Sequence, residues 1–444
     1  MAEVRPFAGL RYDPRRVSDL GRVLCPPYDV VDAEDERRYR ELDPYNAIRL
    51  ELSTASVASE DPDRYVRAAA TLREWREQGV LSEDPRPSFH LHEASFEHAG
   101  EVVVRRELIA AVRLEPWERG VVLPHERTHD RPKADRLKLL TATRANLSPV
   151  LAFFQRDGDT EDAVSAVWAW ATARPPLAEG TDLGGVGHRL WVLDEPGPVE
   201  AVRRFFADRP LFIADGHHRY ETALRYRDEV REASGGKLPA GHPANFVMMH
   251  LIAQDDPGLV ILPIHRLLRG LDGLDAAELE ERLSPEFHSE YYPVWEDAPA
   301  EQVDAFVAQL GSQGQADRVI GVYGPDPSIF GILSLRDRKA LPPSVPRDHD
   351  PSWQQLDVVL ADSAVIRPLL AERALGLEDA VEYTHDAHEA FGRVREGQRQ
   401  LAVLLNPTHI EQIAAVALAG ERMPEKSTFF YPKAPTGLVF RAVQ

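Results

Sequence analysis

The sequence has a single cysteine, no long uninterrupted apolar run and too few cations to balance its acids. One thiol, Cys25, excludes an intramolecular disulfide framework. It sits beside Leu24, Pro26 and Pro27 with no base or second thiol adjoining, so it reads as a packing residue. Without an apolar stretch of about 18 residues no transmembrane helix is expected, and the first residues lack the apolar core of a secretory signal. The expected location is therefore cytoplasmic, with no membrane partner. Lys and Arg number 52 against 72 Asp and Glu, a formal charge of -20, which repels nucleic acid at long range. The densest basic run, residues 127–138, is interrupted by Asp130 and Asp135. It reads as a local anion site, and with no helix-turn-helix in view no DNA partner is expected. Two glycine-bearing stretches also fail as nucleotide fingerprints. Residues 184–187 precede a predicted strand instead of following one, and Glu425 stands before Lys426 where a phosphate-binding loop requires glycine.

What is present is a chain of 444 residues, 43% hydrophobic, long enough to bury a large core. Strand and helix patterns alternate irregularly, which predicts an α+β fold. The expected division is an N-terminal domain over residues 1–270 and a C-terminal domain over 271–444, with the seam near Gly270 to Leu274. Residues 45–52 read as a strand. Residues 89–93 and 101–112 read as a hairpin in which His90 and His92 share a polar outer face. Residues 245–253 and 259–263 read as paired strands, with His250 a core histidine.

The chain is organised around residues 211–224. Leu211, Phe212, Ile213 and Ala214 read as a short buried strand, Gly216 permits a sharp turn, and a helix follows with Tyr220 and Leu224 on one face. Asp215, His217, His218 and Arg219 then stand at a strand's end and a helix's start. A helix N-terminus offers unpaired amide donors and a positive dipole end, both of which favour an anion. Arg219 adds a planar fork suited to phosphate oxygens, the imidazoles can move protons, and Asp215 can hold a metal or accept a proton. The competing reading is a plain turn with a helix cap.

Elsewhere, Pro26 and Pro27 fix a rigid turn that presents Tyr28 and Asp29. His125-Glu126-Arg127-Thr128-His129 matches the zinc-protease pattern, but Pro124 and Pro132 bracket it and deny it a sustained helix. His125, Glu126, Lys133 and Arg136 read instead as a loop contributing charge to a phosphate pocket. Lys426, Ser427, Thr428 and Lys433 either reach the same phosphate or belong to a C-terminal strand with solvated lysines.

The run Ala214-Asp215-Gly216-His217-His218-Arg219-Tyr220 resembles the phosphate-binding motif of the ParB/sulfiredoxin superfamily, especially its free-serine-kinase branch. Pro26-Pro27-Tyr28-Asp29-Val30, the segment running from Pro124, His125 and Glu126 through Lys133, Asp135 and Arg136 to Asn146, Ser148 and Pro149, and the segment from Met423 to Lys433 resemble the SerC-associated domain-of-unknown-function family 1015. The resemblance implies a ParB/sulfiredoxin-like core, about residues 185–270, with additional mixed α/β layers. It also implies ATP or ADP and Mg²⁺ as cofactors. Gly216, His217, His218, Arg219, His125, Lys133, Arg136, Lys426, Ser427 and Thr428 would contact nucleotide phosphates. Asp215, Glu126 and His217 would be catalytic, with Asp215 also holding Mg²⁺.

The expected function is a nucleotide-dependent phosphotransferase acting on a small hydroxyl-bearing metabolite, with free serine the substrate the resemblance implies. Three alternatives stay open. These are a non-catalytic nucleotide-binding regulator, a metal-dependent hydrolase at Asp215, His217 and His218, and a metabolite-binding protein without turnover.

Overall fold

The computed structural model describes residues 2–52, 63–128, 130–156, 162–295, 299–337, 340–371, 373 and 375–444. Two compact units divide the chain: the first holds Met1–Pro124, Thr128–Val260 and Pro432–Gln444, the second His125–Arg127 and Ile261–Tyr431. The division thus falls at residues 260 and 261 instead of near 270, and the segment from Pro432 onward returns to the first unit. Among the described residues no helix is long and apolar enough to cross a membrane.

The first unit is built on a nine-stranded sheet. In chain order its strands are β1 (Val4–Arg5), β2 (Phe89–His98), β3 (Glu101–Arg113), β4 (Val122–Leu123), β5 (Val150–Phe154), β6 (Ala178–Thr181), β7 (Gly187–Leu193), β8 (Leu211–Asp215) and β9 (Phe246–Ala253). Across the sheet the order is β4-β8-β5-β9-β3-β2-β7-β6, with β1 also on β3. β5 and β9 are apolar almost throughout and buried at every position, as strands covered on both faces must be. Their side chains alternate between two cores. Val247, Met249 and Leu251 join Trp168, Phe206 and Tyr220 on one face, while Phe246 and Met248 join Leu24, Ile48 and Phe440 on the other.

Helices α1 (Asp130–Thr143), α2 (Ala163–Thr172), α3 (Pro196–Phe206) and α4 (His217–Ala233) belong to this unit. Their buried stripes follow the helical repeat: α2 contributes Val164, Val167, Trp168 and Ala171 to the first core. The second unit carries a six-stranded sheet in the order Phe287–Pro293, Ile329–Leu335, Val319–Tyr323, Leu401–Leu404, His265–Leu268, Val381–Thr384. Mixed sheets with helices make the fold α+β, as expected.

Three local expectations need correction. The stretch expected as a strand over 45–52 contains a short helix, Ile48–Glu51. Asn46 starts it: its side-chain oxygen accepts from the Ile48 amide at 3.0 Å, while its amide donates to the carbonyls of Arg22 and Leu24. β9 does not pair with the strand after residue 259; it lies between β3, antiparallel, and β5, parallel. Finally, His90 and His92 are not on an outer face. β2 lies inside a sheet covered on both sides, so both rings are buried; His90 Nε2 meets Asp84 at 2.7 Å and His92 Nδ1 meets Glu107 at 2.9 Å.

Candidate functional site

The strand β8 ends at Asp215 and α4 begins at His217, with Gly216 alone between them at φ 92°. A left-handed backbone there is what a residue without a Cβ adopts at low cost. A Cβ on Gly216 would also stand 3.0 Å from Arg219 Nε. Gly216, as N-cap, brings no side chain to the first turn of α4, and the positive end of the helix dipole lies at this turn. Gly216→Ala is expected to destabilise the protein by about 1–2 kcal/mol through the left-handed backbone. Urea unfolding measures this, and a loss under 0.5 kcal/mol would contradict it.

Asp215 lies between two cations. Its Oδ2 accepts from Arg219 Nη2 at 2.5 Å, and its Oδ1 accepts from Lys433 Nζ at 3.0 Å. Burial alone would raise this carboxyl, but Lys433 and Arg219 outweigh it and hold the group well below the usual carboxylate range. Asp215 is therefore an anion ready to meet a cation, and a weak proton acceptor.

A second carboxylate, this one buried, stands nearby in the same unit. Glu51 accepts from Arg136 Nη1 at 2.8 Å, from Thr436 Oγ1 at 3.3 Å and from Ser148 Oγ. Arg136 stacks its guanidinium 4.0 Å from the Tyr28 ring centroid and also donates to Asp135. Arg219 donates through Nη1 to the carbonyl of Pro149. Glu51, Arg136, Ser148, Arg219 and Thr222 line a cavity of about 50 Å³, room for a few waters. Tyr28, Arg136, Ser148, Pro149 and Lys433 thus gather around the turn at Gly216 within the first unit.

The expected site residues are distributed unevenly. Asp215, Gly216, His217, His218 and Arg219 share one turn, with His217 buried and His218 partly so, and Arg136 joins them through Glu51 and the shared cavity. Lys133, on α1, meets α4 farther along: its ammonium donates to Glu221 at 3.1 Å, beside Thr128 and Trp117. His125, Glu126, Lys426, Ser427 and Thr428 belong to the second unit. There His125 Nε2 lies 3.2 Å from Thr428 Oγ1, Ser427 Oγ donates to the Pro424 carbonyl, and Lys426 is solvent-exposed at φ 55°. His129 lies outside the described residues. His125, Glu126 and Thr128 stand in no helix, so the zinc-protease geometry is not formed.

Residues 4–359 match the family model described as a protein of unknown function, DUF1015. The chain belongs to this family. No curated protein matches it. Among solved structures, the DUF1015 chain is similar to a conserved hypothetical protein from Pyrococcus furiosus, at 12% identity and a TM-score of 0.33, covering 76% of this chain and 95% of that one. It is also similar to a free serine kinase mutant in complex with AMP, at 12% identity and a TM-score of 0.35, covering 75% and 92%. A free serine kinase mutant in complex with ADP gives 12% identity and a TM-score of 0.34, again over 75% and 92%.

Glu51, Thr436 and the pairing of Lys433 with Asp215 were not legible as site features. The single signal for Glu51 was an acid between two leucines, Leu50 and Leu52.

Proposed function

We propose that this protein is a nucleotide-dependent phosphotransferase that uses ATP or ADP with Mg²⁺ to phosphorylate a small hydroxyl-bearing metabolite, free serine or a related amino acid. The observation that carries the reading is the left-handed glycine at the start of α4, with a partly buried carboxylate clamped by arginine and lysine at the same turn. Phosphoryl transfer needs positioning and charge neutralisation more than covalent chemistry, and this turn supplies both.

The residues present fit the group. A Cβ at Gly216 would fill the cradle in front of Arg219, 3.0 Å from its Nε. In this reading those amides and Arg219 hold phosphate oxygens, Lys433 neutralises charge, and Asp215 holds Mg²⁺. Since both Asp215 oxygens meet cations, loading the site moves Arg219 or Lys433 from the carboxylate onto phosphate. Asp215 is too acidic to act as the base, so the hydroxyl proton goes to another group. Glu51 and His217 are the side chains to test for it. Tyr28, stacked against Arg136, and the exposed Asp29, whose charge is felt at Arg219, suit the amine of an amino-acid substrate.

Isothermal calorimetry of the protein with ATP, ADP, AMP and CTP in the presence of Mg²⁺, followed by ³¹P NMR with serine and related acceptors, tests the reading. Binding of one nucleotide that changes in Asp215→Asn, with a new phosphate-ester signal, is the expected result. Binding without any ester would make the protein a nucleotide-binding regulator, and no binding would remove the nucleotide from the account.

A further inference from the structure

A row of buried titratable side chains crosses four adjacent strands of the first unit's sheet, outside the turn at Gly216. His188 on β7, His92 on β2, Glu107 on β3 and His250 on β9 are each no more than 3% exposed. They are joined end to end. Asp182 Oδ2 meets His188 Nε2 at 3.0 Å, His188 Nδ1 meets His92 Nε2 at 2.9 Å, and His92 Nδ1 meets Glu107 Oε2 at 2.9 Å. His250 Nδ1 reaches the same Glu107 oxygen at 2.7 Å. On the other carboxylate oxygen, Arg105 Nε stands at 2.7 Å and keeps Glu107 ionised.

The protons in this chain do not add up. Between Asp182 and Glu107 there are three links, each needing one proton, and a neutral imidazole carries only one ring N–H. His188 and His92 together bring two. If Asp182 accepts from His188 and His188 accepts from His92, then His92 Nδ1 presents a lone pair to the Glu107 carboxylate. Such an arrangement is repulsive unless a positive occupant sits at that end. That end is also where the donor atoms converge: one atom each from His92, Glu107 and His250 lie within 4.8 Å of one another. Two imidazole nitrogens and a carboxylate oxygen are a donor set for zinc and its neighbours among the divalent first-row metals.

We propose that His92, His250 and Glu107 bind a divalent transition metal, zinc by its donor set, that ties β2, β3 and β9 together. His188 and Asp182 act behind it. His92 gives its one ring N–H, on Nε2, to His188, which gives its own to Asp182, fixing the tautomer that leaves His92 Nδ1 free to ligate. Metal binding displaces the His250 Nδ1 proton to bulk solvent or to its other ring nitrogen, since only the unprotonated nitrogen ligates. Arg105 orients the carboxylate and donates through Nη1 to the Pro432 carbonyl at 2.5 Å, next to the lysine that holds Asp215.

The test is metal analysis of the full chain purified without chelator or affinity metal, then Co²⁺ titration of chelator-treated protein followed by d–d absorption. One equivalent of bound metal and a saturable Co²⁺ spectrum bleached by Zn²⁺ are expected. His188→Ala is expected to keep the one-to-one endpoint with 10–100-fold weaker affinity, and His250→Ala to lose the spectrum. Chelator-treated protein that unfolds and recovers on adding Zn²⁺ would support the site as well. Folded wild-type protein that holds no metal and gives no Co²⁺ spectrum would overturn it. In that case ¹⁵N NMR should find a third proton, an imidazolium, filling the chain.

Discussion

Arg219→Ala is expected to weaken nucleotide binding by at least 100-fold while the protein still folds. Arg219 is a partly buried cation at the first turn of α4, its side chain 9% exposed, and each charge-assisted bond it gives a phosphate is worth about 1.5–3 kcal/mol. Losing two such bonds amounts to roughly 3–6 kcal/mol, which is 100-fold or more in affinity. The fold survives because Asp215 keeps Lys433 as a partner. What the fold does lose is the bond to the Pro149 carbonyl and part of the carboxylate's compensation, so the unfolding temperature should fall by several degrees. Calorimetric titration beside a thermal melt separates the two effects. A folded variant that binds nucleotide as wild type does would move the phosphate site away from this turn.

Glu51→Ala is expected to lower stability by about 3–5 kcal/mol, the cost of leaving a buried charge without its partner. Arg136 keeps Asp135 but loses its buried carboxylate, and the hydroxyls of Ser148 and Thr436 lose their acceptor. Glu51→Gln retains an oxygen that can accept two of those bonds and should recover part of the loss. Urea unfolding should show a lower midpoint with an unchanged slope, the signature of altered stability alone. A loss below 1 kcal/mol in Glu51→Ala would mean that Arg136 finds full compensation elsewhere. Nucleotide titration of the glutamine variant adds a separate readout: lost turnover with retained binding would mark Glu51 as the base.

The strand, turn and helix at residues 211–224 were legible because local rules coincide there: an apolar run, a glycine where the backbone must turn left-handed, and a helical repeat. Arg136 and Ser148 were legible as members of quoted segments, though not their shared partner. Glu51 was hidden because period-two alternation over 45–52 mimics a strand, while Asn46 bonds the local backbone into a helical turn. Lys433 was left open between a phosphate contact and a solvated strand lysine, with no sign of Asp215, since 218 residues separate the two and no local pattern reports so distant a partner. The histidines of β2 show another limit. Alternation assigns His90 and His92 to one face, but whether that face meets water depends on what the rest of the chain lays over it.

The return of Pro432–Gln444 to the first unit has a consequence for biosynthesis. Lys433 and Thr436 lie there, as does the strand Arg441–Ala442 that pairs with Ala145–Asn146. A ribosome must therefore polymerise the stretch Ile261–Tyr431 before it delivers the residues that clamp Asp215 and cover Glu51. The part of the molecule begun first is finished last, and a nascent chain halted anywhere before residue 432 carries an arginine-bound carboxylate with no lysine to complete it.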